Sequence, residues 1–196
     1  MENKVYSARI YTNDFNRIIS ATKAFVAKNG TRKAHQYIKL EFNAENQRVT
    51  AIAVDGYRMS VEHSIISDCE NDFVVYIKPT VALPKSQYAT FSLDGNEAVV
   101  RCGGFMFGYE QPQAVDFDWQ KAIPQGEPSF KIGFNGNYLL TALQAAKSSV
   151  GNSFRSPVVL EFRSPLDPVI LKTNGDDIPK SSFNRAKSIA SKASKS

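Results

Sequence analysis

The chain has 196 residues, 42% of them apolar and 11% aromatic, a composition that builds a buried core and excludes wholesale disorder. No window approaches eighteen consecutive apolar residues, and the start MENKVYSARIY lacks the basic opening and apolar stretch of a signal peptide, so a cytoplasmic protein without a membrane span is expected. The formal charge of +5 lies in residues 178–196, where Lys180, Arg185, Lys187, Lys192 and Lys195 stand without an acid, and residues 1–177 are neutral overall.

In chain order, Val5 to Tyr11 alternates two unlike faces and predicts a strand. Asn13 is positioned as an N-cap for a helix whose apolar stripe is Phe15, Ile18, Ile19, Thr22, Phe25 and Val26, with Asn29-Gly30 as its stop. Four strand-like runs follow, Tyr37 to Asn43, Arg48 to Asp55, Arg58 to Ile65 and Phe73 to Ile77, separated by short polar or glycine-bearing turns, which predicts an antiparallel meander. Pro79 and Pro84 stand too close for a regular helix between them. A second meander is expected at Tyr88 to Leu93, Glu97 to Cys102 and Phe105 to Tyr109, with Asp94-Gly95-Asn96 and Gly103-Gly104 at its turns.

The pattern then restarts. Phe130, Ile132 and Phe134 alternate with Lys131 and Gly133 as in a strand, and Asn135-Gly136 leads into a helix with Leu139, Leu140, Leu143 and Ala146 on one face. Val158 to Phe162 and Val169 to Lys172 read as closing strands, and Asn174-Gly175 as a turn. The whole is a degenerate repeat of about 60 residues in an α+β fold, with antiparallel sheets covered on one face by helices. The basic end reads either as a solvated tail or as an arm that adds phosphate contacts.

Cys69 and Cys102 lack any CxxC or Cys/His spacing, so neither a zinc site nor a disulfide framework is implied, and His35 and His63 have no neighbouring carboxylate pattern. Asp55, Asp94, Asp116 and Asp118 have no partners at a spacing that specifies acid–base or metal work, and there is no P-loop, GxSxG or HExxH. The expectation is a binding protein, not an enzyme, with no cofactor and no metal.

Particular residues carry a family resemblance. The run AVDGYRMSV, Ala53 to Val61, is similar to the ATDGHRL signature in the middle domain of the bacterial DNA polymerase III β sliding clamp. As in that domain, a strand–helix unit, a Thr-Arg pair at Thr31-Arg32 and a strand ending in LEF at Leu40 to Phe42 precede it. FVVYIKP and FDWQKAIP, the latter Phe117 to Pro124, follow it and resemble a strand ending in Pro and the interdomain segment FPDYRRVLP. FKIGFNGNYLLTALQAA with PVVLEFRSPLDPVILK is similar to the later half of the third domain. The family's first domain, the first half of its third and its C-terminal apolar-Pro-apolar-Arg strand have no counterpart here, Tyr57 stands where His is usual, and Asp118 where Pro is usual.

The resemblance implies a sliding-clamp fold of βαβββ repeats, with residues 1–125 as a middle-domain-like unit, 126–177 as part of a third-domain-like unit and 178–196 as a basic tail. It implies helices facing duplex DNA, bound through phosphates without base readout, with Arg17, Lys23, Lys28, Arg32, Lys33, Lys147 and Arg155 as candidate contacts, against the plain alternative of a solvated face. It also implies an apolar pocket for peptide tails of DNA polymerase and other clamp-binding proteins, walled by Val54, Gly56, Tyr57, Arg58, Met59, Phe117, Lys121, Ala122 and Pro168. Tyr57 and Met59 alternatively read as ordinary core or cross-strand residues after a tight turn. The expected activity is that of a replication processivity factor, assembled as a homo-oligomer through sheet edges; the second reading is an adaptor or competitor that binds the peptides without encircling DNA.

Overall fold

The computed structural model describes residues 6–28, 33–79, 82–84, 86–113, 118–150, 158–163 and 169–172, with backbone alone at 33, 149 and 150. It divides into two units, residues 1–121 and 122–196.

In the first unit, β1 (Tyr6–Tyr11) runs straight into α1 (Thr12–Thr22). The helix begins one residue before the expected cap. Tyr11, extended at φ −62° and ψ 131°, holds the N-cap position, and Asn13 lies exposed inside the first turn. A side-chain cap is dispensable because the neighbouring chain meets this end: the Thr12 N–H donates to the Gln87 carbonyl at 3.2 Å and the Thr12 hydroxyl donates to the Ser86 carbonyl.

The regular helix also stops sooner than its stripe implies. The hydroxyl of Thr22 bonds back to the carbonyls of Ile18 (2.8 Å) and Ile19 (3.3 Å), and Lys23–Phe25 tightens into a 3-10 turn. Phe25 therefore sits on that turn and Val26 is already extended, at φ −81° and ψ 135°. The expected Asn29-Gly30 stop and the Thr31-Arg32 pair lie outside the described residues.

Seven strands follow: β2 (Ile38–Asn43), β3 (Arg48–Val54), β4 (Met59–Ile65), β5 (Phe73–Ile77), β6 (Tyr88–Asp94), β7 (Glu97–Cys102) and β8 (Phe105–Glu110). They form two antiparallel four-stranded sheets, ordered β1-β6-β7-β8 and β4-β3-β2-β5. The expected four-strand meander is corrected here, because β5 pairs with β2 and not with β4, while β1 completes the other sheet beside β6. Each half of the unit is a three-stranded meander preceded by one strand, and each lends that strand to the other's sheet.

Side-chain character explains the choice. Phe73, Val75 and Ile77 of β5 are buried against the same core face as Leu40 and Phe42 of β2, the strand beside which β5 ends the sheet. The mixed polar strand β4, carrying Glu62 and His63, is left at an edge. One aromatic chain ties helix and sheets together: Phe15 meets Phe91 at 5.2 Å, Phe91 meets Phe42 at 5.5 Å, and Phe42 stacks on Phe73 at 4.4 Å between ring centroids. Where the repeat would place a second helix, Leu83 is buried instead, its N–H and carbonyl both held by the Asn16 amide at 3.1 and 3.2 Å.

The second unit contains α2 (Gly136–Val150) and an antiparallel pair, β9 (Val159–Glu161) and β10 (Ile170–Lys172). Asn135 caps α2, its carboxamide oxygen accepting the N–H of Asn137 at 3.0 Å. The strand expected over Phe130, Ile132 and Phe134 is not formed: the segment pairs with no strand among the described residues, and all three side chains are exposed. An alternating pattern becomes a strand only beside a partner. Leu140 is likewise exposed, so the buried side of α2 is the narrower line Leu139, Leu143 and Ala146. Asn174-Gly175 and residues 178–196 lie outside the described residues.

Cys69 and Cys102 are buried free thiols, and burial pushes the Cys69 thiol up from its ordinary value. Among the described residues no helix is long and apolar enough to cross a membrane.

Candidate functional site

The hairpin joining β3 and β4 is fixed by its own sequence. Asp55 opens the four-residue loop 55–58, Gly56 supplies the positive φ of 91° that an L side chain resists, and the Asp55 carboxylate accepts the N–H groups of Tyr57 (3.0 Å) and Arg58 (2.9 Å). Arg58 closes the loop with a 2.6 Å ion pair to Asp55, places its guanidinium over the Phe25 ring at 5.3 Å and donates to the Ala24 carbonyl at 3.3 Å. Burial pushes the Asp55 carboxyl up, but hydrogen bonds from the Arg58 side chain and the two backbone N–H groups, with the guanidinium charge, outweigh it and hold the carboxyl below its ordinary value.

The consequences are directional. Tyr57 is pushed into solvent, 91% exposed, and so reads as neither core nor cross-strand contact. Val54 and Met59 face each other in register and are half-buried. They share the sheet face turned away from α1, next to the register row Tyr76, Lys39, Ile52 and Val61. Among the described residues Arg58 donates through Nε and Nη2, which leaves Nη1 for another acceptor. The structure thus brings Val54, Gly56, Tyr57, Arg58 and Met59 together at one end of one hairpin.

Four further candidates for the peptide site remain. Lys121 is exposed and paired with Asp118 at 3.1 Å, Ala122 is exposed at the start of the second unit, and Phe117 and Pro168 lie outside the described residues.

Of the candidate phosphate contacts, Arg17 is on the solvent side of α1 but bonded to Glu62 (3.2 Å) and to the His63 carbonyl (2.9 Å). Lys23 and Lys28 are exposed after the helix, Lys33 opens a 3-10 turn, Lys33–Gln36, and Lys147 is exposed near the end of α2 in the other unit. Arg32 and Arg155 lie outside the described residues.

Two concavities form elsewhere. One, of about 520 Å³, is lined by Lys23, Lys28, Val26, Tyr37 and also Lys78 and Pro79. The other, of about 660 Å³, lies on the outer face of the second sheet against Trp119, whose indole N–H donates to the Glu41 carboxylate at 2.9 Å. Lys78 and Trp119 were missed by sequence reasoning; the only signals were a lysine just past a strand and the chain's single tryptophan. Neither concavity is lined by residues 54–59 at the β3–β4 turn.

No family model and no curated protein matches the chain. Solved structures do. The DNA polymerase sliding clamp from Bacillus subtilis aligns over 90% of this chain and 47% of its own, at a TM-score of 0.73 and 17% identity. The β subunit of the DNA polymerase of Streptococcus pyogenes aligns over 88% of this chain and 50% of its own, at 0.68 and 15%. A sliding clamp from Pseudomonas aeruginosa bound to griselimycin aligns over 65% of this chain and 35% of its own, at 0.55 and 14%. The fold is the sliding-clamp fold, α+β with antiparallel sheets, and the chain spans about half the length or less of these neighbours.

Proposed function

We propose that this sliding-clamp fold serves as a non-enzymatic, cytoplasmic platform in DNA replication, which holds duplex DNA by its phosphates and receives peptide tails of DNA polymerase and other clamp-binding proteins. Residues 1–125 take the part of a middle domain, 126–177 part of a third domain, and 178–196 a basic arm. The observation that carries the reading is the likeness to a sliding clamp along 90% of the chain.

Open sheet edges support assembly of several copies. The free side of β5 is met by Gln111, whose carboxamide accepts the Tyr76 N–H at 2.7 Å and donates to the Tyr76 carbonyl at 3.3 Å, and β1 bridges to Ser67. Among the described residues β4 and β8 have strand partners on one side alone, and Ile65, Phe105 and Met106 on them are exposed apolar side chains. Exposed Arg17, Lys23, Lys28 and Lys147 supply phosphate contacts, joined by Arg32, Lys33 and Arg155.

For the peptide, Met59 and Val54 offer adaptable apolar surface, Gly56 lets a backbone come close, and Arg58 offers Nη1 to a carbonyl. Fluorescence polarisation with a labelled peptide carrying a leucine and an aromatic residue tests this. Met59→Ala and Arg58→Ala are each expected to weaken binding by about tenfold. Affinity unchanged in both variants contradicts the peptide site.

A further inference from the structure

Exposed arginines of the first unit are mostly answered by acids: Arg9 by Asp68 at 3.1 Å, Arg17 by Glu62 at 3.2 Å, Arg58 by Asp55 at 2.6 Å. Three lysines are not. Lys23 on the 3-10 turn after α1, Lys28 beyond it and Lys78 just past β5 rim one concavity of about 520 Å³, no acid lines it, and none of the three amines has an ion pair among the described residues. Like charges brought to one hollow repel, and the arrangement is relieved when an anion enters.

The walls narrow the anion's identity. Tyr37, Val26 and Pro79 give the hollow an aromatic ring and apolar surface, which a bare inorganic anion does not use and a base or sugar does. Its volume is in the range of small-ligand sites, and a recess suits a single nucleotide better than the outer curve of a duplex. We infer that this concavity binds a nucleoside phosphate, with the phosphates at Lys23, Lys28 and Lys78 and the base or sugar against Tyr37, Val26 and Pro79. The ligand is either a free nucleotide or the terminal nucleotide of an unpaired strand.

Lys23 and Lys28 also belong to the proposed duplex contacts, but Lys78 does not, and Lys147 belongs to the duplex set without lining the hollow. The experiment uses that difference. The full chain and its variants are titrated calorimetrically with ATP, with pyrophosphate and with a short 5′-phosphorylated single strand, and duplex binding is followed separately by gel shift.

ATP or the strand is expected to bind saturably and more tightly than pyrophosphate, with Lys78→Glu and Lys28→Glu each weakening the complex by about tenfold and Lys147→Glu leaving it unchanged. Binding of ATP assigns the free nucleotide, and binding of the strand alone assigns the strand end. The inference is overturned if neither binds at about 1 mM, if pyrophosphate binds as tightly as both, or if Lys78→Glu and Lys28→Glu, shown folded by circular dichroism, leave affinity unchanged. Absence of duplex binding by the unaltered chain, with ATP binding intact, removes the replication-platform reading and leaves this site standing.

Discussion

The two helices began with the same sequence signal and ended in different surroundings. α1, eleven residues long, lies over a four-stranded sheet and buries Thr12, Phe15, Ile18, Ile19 and Thr22. α2 is longer, at fifteen residues, yet Ala146 is its only buried side chain among those described, while Tyr138 and Leu140 are 77% and 54% exposed. The difference lies in what each helix has to cover. Among the described residues, the first unit supplies eight paired strands, whereas the second supplies two strands of three residues each. An apolar stripe says which side of a helix seeks cover; only the sheet it meets decides how much is found.

Substitutions sharpen that contrast. Phe15→Ala removes a ring that is 1% exposed and touches Phe91, and it should cost about 3–5 kcal/mol in urea unfolding monitored in the far ultraviolet. A loss below about 1 kcal/mol would mean the first unit is loosely packed. A smaller effect is expected at the hairpin, where Asp55→Ala removes the acceptor of two N–H groups and the partner of Arg58, at about 1–2 kcal/mol. Because the folded-state pKa of Asp55 is depressed, its contribution is complete above the ordinary carboxylate value and is lost as pH falls through the depressed one. Wild type and Asp55→Ala should therefore converge in stability toward low pH, and a constant gap would contradict the ion pair. The smallest effect belongs to Leu140→Ala, within about 0.5 kcal/mol, since that side chain is already in water. A cost near that of Phe15→Ala would show that α2 is covered in solution.

Much of the fold was readable locally. Strand alternation and the glycine turns at Asp55-Gly56, Asp94-Gly95 and Gly103-Gly104 place all eight strands of the first unit within about two residues, because each signal acts over a few neighbours. The exchange of β1 and β5 between sheets was not readable, since nothing in Tyr6–Tyr11 names Tyr88–Asp94 as its partner. The helix end at Thr22 depended on one hydroxyl turning back onto Ile18, and the missing strand at Phe130–Phe134 on the absence of a partner among the described residues.

The candidate site divides the same way. Gly56, Arg58 and Met59 were legible because they belong to one hairpin, but Arg58's engagement with Phe25 and Ala24 joins residues over thirty positions apart. Lys78 joins Lys23 and Lys28 only through the folded chain, which is why composition showed the first 177 residues as neutral and concealed a local excess of cations.

Sedimentation velocity over a range of protein concentrations, with and without a short duplex, tests the central claim most directly. The proposed platform, spanning about half the length of its structural neighbours, should self-associate and sediment faster as a multimer on the duplex. A strict monomer at every concentration that never co-sediments with the duplex would contradict the account.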